Sequence, residues 1–184
     1  AEHEKRYLKL AANIENNEFI VGSATYTGGA ITLEGSENWQ NYVIECDIRM
    51  LDIASDSHCG IKVGDVYIFL RMSGLCFVAD AAGEKHAFRI SSLKLDTTYD
   101  LKIAVDHKNN TIVCFIDGEK SAAFNPGSTA NGPIAIYTHQ CKATYDNIKI
   151  YSITDDKRSE LKTSPNILLN SGFEHLSSGV PDWW

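Results

Sequence analysis

Between residues 98 and 124 the sequence alternates apolar and polar, and no other stretch restricts the possible folds so tightly. Tyr99, Leu101, Ile103 and Val105 alternate with Asp100, Lys102, Ala104 and Asp106. Successive side chains of a strand leave on opposite faces, so this pattern buries one face and wets the other. A polar turn follows, His107-Lys108-Asn109-Asn110, then an apolar run over 111–116 and the pair Asp117-Gly118. Asp-Gly between apolar runs marks a hairpin, because a type I′ turn needs positive φ at both central residues. Residues 121–124 then read as the third strand of an antiparallel meander.

The rest of the chain repeats this character. Strands are expected at 18–21 and 30–34 around Gly28-Gly29, and over 39–50, the longest, which a polar loop at 52–57 separates from 59–63. Turn pairs Gly64-Asp65, Ser73-Gly74 and Gly83-Glu84 then punctuate strands at 66–71, 75–79 and 86–90. Two more close the series, 134–138 and 144–151. Helical periodicity is almost absent. Short strands with turn chemistry at close spacing imply an all-β fold, a two-sheet antiparallel β-sandwich. With 184 residues, 43% of them hydrophobic, there is material for one core and some extra segments. The expected division is a charged lead-in (1–17), the sandwich (18–151), a charged linker (152–164) and a C-terminal segment (165–184).

Composition removes several function classes. A net charge of −7 disfavours nucleic acid, which demands a basic footprint. No apolar run approaches the ~20 residues needed to span a bilayer. The five cysteines make no close pairs, which argues against a disulfide framework and against zinc, though one bridge stays open. Cys46, Cys59 and Cys114 fall in phase with apolar neighbours and read as buried, inert thiols. The six histidines lack His-x-x-x-His spacing, and no phosphate loop, dinucleotide fingerprint or nucleophile elbow is present. The chain opens on Ala without a leader pattern, as a mature form or an excised module would.

Three segments carry a family resemblance over residues 18–151: Trp39-x-x-Tyr42 opening a long strand, the meander through Thr111-Ile112 and Asp117-Gly118, and the closing run from Tyr145 to Tyr151. Together they resemble the concanavalin A-like (laminin G-like) superfamily, which implies a jelly-roll sandwich. The closing run resembles the last strand of family 16 glycoside hydrolases and their lectin-like relatives. In many of those the aspartate in this place ligates a structural Ca²⁺ together with backbone carbonyls, which makes Asp146 the candidate metal residue. Phase adds a separate reason: Asp146 alternates with Ile148 and Ile150, so its carboxylate is expected to point inward. A buried carboxylate needs a cation or several N–H donors, and both alternatives stand.

The tail, Asn166-Ile-Leu-Leu-Asn-Ser-Gly-Phe-Glu174 followed by Gly179-x-Pro181-x-Trp183, resembles the opening of a galactose-binding-like carbohydrate-binding module. That resemblance implies one module of a longer secreted protein. The alternative is a docked C-terminal extension.

Two constellations are candidates for chemistry. Glu45 and Asp47 share a strand face, and retaining glycosidases need two carboxyls ~5–5.5 Å apart across the scissile bond. The family 16 hydrolases carry a further glutamate on this strand, where the present run reads Glu45-x-Asp47-x-Arg49, and Arg49 is expected to pair with Asp47 or its neighbours. Residues 39–60 also resemble secreted domains linked to keto-glycoside hydrolysis. Those carry an arginine soon after this strand, where Gly60-Ile-Lys-Val-Gly64 stands here.

The second constellation is Tyr67, Phe69 and Arg71, opposite the aliphatic Val66, Ile68 and Leu70, with His58, Tyr137 and His139 in outward phase on other strands. Aromatic rings offer flat apolar faces to sugars, while Arg and His satisfy hydroxyls. The alternative is that loops or the lead-in cover this layer. The expected role is non-catalytic binding of a polysaccharide or oligosaccharide by a monomeric module, joined to neighbouring domains of a secreted or cell-surface bacterial protein. A glycoside hydrolase using Glu45 and Asp47, and a structural or adhesion spacer, are the competing readings.

Overall fold

The computed structural model describes residues 11–15, 18–23, 29–71, 75–79, 85–89, 93–126, 130–153, 176–177 and 180–181. All regular elements among them are strands: β1 (Ala11–Glu15), β2 (Glu18–Ser23), β3 (Gly29–Thr32), β4 (Asn41–Val63), β5 (Val66–Arg71), β6 (Leu75–Ala79), β7 (Lys85–Arg89), β8 (Thr98–Asp106), β9 (Thr111–Ile116), β10 (Glu119–Phe124), β11 (Ile134–Ser152), β12 (Leu176–Ser177) and β13 (Val180–Pro181). The protein is all-β, as expected. The linker beyond Ile153 and the C-terminal segment lie outside the described residues, apart from the short β12–β13 pair. Within the expected lead-in, β1 pairs antiparallel with β2.

β4 and β11 organise the molecule. Each was expected as two strands and each is continuous, running 23 and 19 residues respectively. They pair antiparallel along almost their whole lengths, with register shifts at His139/Cys141 and Lys142/Ala143. Ladder irregularities bend a strand and sharpen its twist, and here the bend carries both strands from one layer into the other. In the first layer, residues 58–63 of β4 pair with β5 on one side and with β11 on the other, and the ladder continues through β6 to β7 and through β11 to β3. In the second layer, residues 41–49 of β4 pair with β8, which leads to β9 and β10, while residues 141–145 of β11 pair with β2. Of the polar 52–57 stretch, Asp52 and Ile53 join the ladder with Lys142 and Cys141, while 54–57 stand opposite the single residue Gln140 and have no ladder partner.

The core lies between the layers. Ile44, Ile48, Leu101, Ile103 and Ile112 from the second layer and Val63, Val66 and Ile68 from the first are buried in one cluster. Tyr145 spans it: its hydroxyl leaves the second layer and donates to the Tyr137 carbonyl at 2.8 Å, with the Gly60 carbonyl at 3.2 Å. Cys46, Cys59, Cys114 and Cys141 are buried free thiols. The meander forms as its alternation requires, and Asp117 and Gly118 both have positive φ, 51° and 77°, as a type I′ turn demands.

Asp146 corrects an expectation. Asp146 pairs with Asp47 and Lys149 with Glu45, so β11 spends one residue more than β4 between these pairs. Asn147, at φ 50°, sits in that bulge. The extra residue reverses the phase: Tyr145 points into the core, Asp146 is only half-buried, and Ile148 is 44% exposed. The carboxylate accepts the Asn147 N–H at 2.7 Å and does not enter the core.

Candidate functional site

The register of β5, β4 and β11 sets the proposed binding residues side by side on the outer face of the first layer. His58 lies between Arg71 and His139, Gly60 between Phe69 and Tyr137, and Lys62 between Tyr67 and Ala135. Tyr67, Phe69, Arg71, His58, Tyr137 and His139 thus converge as their phase implied, and each is half-buried. The inner face of β5 is the aliphatic Val66, Ile68 and Leu70, at most 2% exposed.

His58 is the hub. Its ring stacks on His139 with centroids 4.5 Å apart and planes 11° from parallel, and lies 4.3 Å from Phe69. Its Nε2 is 3.3 Å from the Tyr137 hydroxyl. Tyr137 in turn meets Tyr67 edge-on at 5.0 Å, and Lys62 Nζ sits 5.1 Å from the Tyr67 ring centre. Lys62 also reaches Asp65 at 3.7 Å.

Gly60 makes the arrangement possible. A Cβ there would fall 2.0 Å from the Ile68 carbonyl oxygen and 2.7 Å from Phe69 Cα, both backbone atoms that cannot move aside. Any side chain would force β5 away from β4. With none, β5 lies close against β4 at this row, and the Tyr145 hydroxyl meets the Gly60 carbonyl from the core side. Neither residue was singled out from the sequence. Gly60 stood in plain view inside a strand, where glycine marks close backbone approach, but Tyr145 needed the cross-core geometry.

The neighbouring bend is pinned by side chains. Ser57 Oγ donates to the Gln140 carbonyl at 2.5 Å, and the Cys141 thiol donates to the His58 carbonyl at 3.2 Å. Burial and the adjacent His139 lower the His58 pKa to about 4, while burial and the Arg71 charge lower that of His139. Burial chiefly, with Tyr67 and Cys141 nearby, raises the Tyr137 hydroxyl to about 12. At neutral pH the face therefore presents uncharged imidazoles and phenols, each able to donate and accept, beside fixed cations.

Glu45 and Asp47 lie elsewhere, on the outer face of the second layer. Glu45 accepts the Tyr151 hydroxyl at 2.5 Å and Lys102 Nζ at 3.0 Å, and those contacts, the tyrosine bond first, hold its pKa below the usual carboxylate value. Asp47 accepts Asn147 Nδ2 at 2.7 Å. Arg49, expected to pair with Asp47 or its neighbours, instead pairs with Glu18 at 2.5 Å and Asp96 at 2.8 Å, tying β2 and the segment before β8 to β4. Among the described residues no group of three or more His, Cys, Asp or Glu could hold a metal ion. A Ca²⁺ at Asp146 would have to draw the rest of its six to eight oxygen ligands from backbone carbonyls, waters and other neutral donors. A cleft of about 470 Å³ opens at the start of β4 and the end of β11, lined by Trp39, Tyr42, Ile150 and Ile153 among others. It is remote in register from the His58 rows and carries no titratable group except tyrosine.

No protein-family model matches the sequence. No curated protein matches it either. Solved structures do. A carbohydrate-binding module, CBM66 from Bacillus subtilis, superposes with a TM-score of 0.66 at 12% identity, covering 78% of this chain and 92% of that one. The alginate lyase AlgAT5 of polysaccharide lyase family 7 gives 0.61 at 12% identity, covering 80% and 85%. The alginate lyase A1-II′ in complex with substrate gives 0.59 at 11%, covering 79% and 83%. The fold is a jelly-roll β-sandwich like that of these neighbours. At these identities the likeness concerns the fold, and function has to be argued from the residues.

Proposed function

We propose that the His58 face binds polysaccharide and that the chain serves as a non-catalytic module of a secreted polysaccharide-processing protein. The observation that carries this reading is the convergence of Tyr67, Phe69, Tyr137, His58, His139 and Arg71 on one half-exposed sheet face with a side-chain-free glycine at its centre. Grouped, partly exposed aromatics mark contact surfaces, and the rings here alternate with hydrogen-bonding groups suited to sugar hydroxyls. The names of the structural neighbours, a carbohydrate-binding module and polysaccharide lyases, support the same class of ligand.

The hydrolase alternative draws less support. A general acid needs a raised pKa and a free proton, whereas Glu45 is held ionised by Lys102 and Tyr151. A spacer would have no use for a polar aromatic face built around a steric requirement for glycine.

The test is affinity measurement on a polysaccharide panel with Tyr67→Ala and Arg71→Ala. Each should weaken binding about tenfold or more, equivalent to ~1.4 kcal/mol, with an unchanged far-UV spectrum, and no new reducing or unsaturated ends should accumulate. Binding that survives both substitutions would place the site elsewhere.

A further inference from the structure

The chain carries a formal charge of −7, yet its charges are not spread evenly over the two layers. The outer face of the second layer mixes both signs: Glu45 lies between Lys102 and Lys149, with Lys120 farther along the same row, Asp47 lies between Asp100 and Asp146, and Arg49 follows in the same phase. The rows of the His58 face read differently. They hold Lys62, Arg71, His58 and His139. Among the described residues no Asp or Glu occupies a position in these rows; the nearest acidic residue, Asp65, stands in the turn between β4 and β5.

We infer that the ligand of this face is an acidic glycan, one whose sugar rings bear carboxylates. This inference rests on the glycan-binding reading above and adds the charge of the ligand to it. A neutral sugar gives no reason to keep carboxylates out of the rows that hold Lys62 and Arg71 when the other outer face carries both signs. Uncharged hydroxyls are served equally well by Asp, Asn or Glu, which are missing here, whereas a carboxylate is repelled by the first and last of these. Arg71 suits a carboxylate in particular, since the planar guanidinium matches its two oxygens. Successive rows lie about 6.7 Å apart along the strands, from a rise of ~3.3–3.4 Å per residue. The row of Arg71, His58 and His139, in which Arg71 is the cation, therefore flanks the aromatic row of Phe69 and Tyr137 closely enough for one sugar to stack on the second while its carboxylate meets the first. The apolar rows supply the stacking and the charged rows the selectivity.

The experiment measures binding of the full chain, by calorimetry or affinity electrophoresis, to polygalacturonate and polymannuronate, each beside its carboxyl-reduced, neutral counterpart, and to a sulfated galactan. The inference expects at least one polyuronate to bind tenfold or more tighter than its reduced form, with affinity falling as salt rises. Arg71→Gln and Lys62→Gln should each reduce that preference severalfold, with Tm confirming that both variants fold. Should Arg71→Gln misfold, Lys62→Gln alone decides, because a partly exposed Lys62–Asp65 pair contributes little to stability. Binding to a neutral polymer with no preference for its acidic form overturns the inference and leaves the glycan-binding reading intact. Preference for the sulfated polymer over both polyuronates overturns the carboxylate assignment. Binding to none of the polymers removes the inference and the reading together.

Discussion

At His58 the cost of burying a charge and the nearness of His139 act in the same direction, and together they bring its pKa from 6.5 to about 4. A base whose folded pKa is lowered binds fewer protons folded than unfolded between those two values. Stability therefore rises with pH across that window, and it is lost as pH falls from about 6.5 to about 4. His139 on the flanking strand adds to the burial penalty, since a protonated His58 would stand against a second imidazole. His58→Gln, which retains hydrogen bonding without the titration, should flatten the Tm–pH curve of the wild type between pH 6.5 and 4. Parallel curves for the two proteins would show that His58 titrates normally.

Among the elements, β5 and the meander could be read directly, because unbroken alternation between turn pairs leaves little freedom of assignment. β4 and β11 could not. Their polar middles resemble loops, and nothing local shows that pairing between the same two strands resumes beyond the irregular 54–57 stretch. The candidate face was legible to the extent that phase governs it: Tyr67, Phe69 and Arg71 had to share one side. Its rows were not, since setting Gly60 between Phe69 and Tyr137 requires the register of strands up to 79 residues apart, as the His58–Tyr137 contact is. Asp146 failed for a related reason. Alternation was extrapolated through Asn147, a residue type that tolerates the left-handed conformation, and one extra residue at that point turned the carboxylate outward. The proposal that Asp146 holds Ca²⁺ now expects a shallow site. Excess chelator should lower Tm modestly in the wild type, because an ion bound only to the folded state stabilises it by mass action, and should do nothing to Asp146→Ala. Identical wild-type Tm with and without chelator would leave Asp146 the single role of accepting the Asn147 N–H in the bulge.

For the whole molecule, packing defines where the sandwich ends. Ile153 is 7% exposed and joins Val43, Ala104 and Val113 in a small cluster on the outside of the second layer, and its N–H donates to the Asn41 carbonyl at 3.0 Å. The sandwich thus uses at least the residues up to 153, two beyond the boundary at 151 that alternation suggests. Large apolar residues farther along, such as Leu168, Leu169 and Phe173, belong to the stretch that resembles the start of another module, and a fragment of about twenty residues cannot bury a core of its own. Two truncations separate these contributions. A chain of residues 1–164 should melt within ~4 °C of the 184-residue chain, whereas one of residues 1–151 should melt clearly lower. Losing one buried isoleucine costs about 2 kcal/mol, which at ~2–4 °C per kcal/mol for a domain of this size gives a fall of roughly 4–8 °C. Ile153→Ala in the 1–164 chain should reproduce most of that fall, because the side chain and not the length carries it. Equal melting of the two truncated chains would mean that the Ile153 cluster adds nothing, and a large loss already at 1–164 would make the C-terminal segment part of the sandwich.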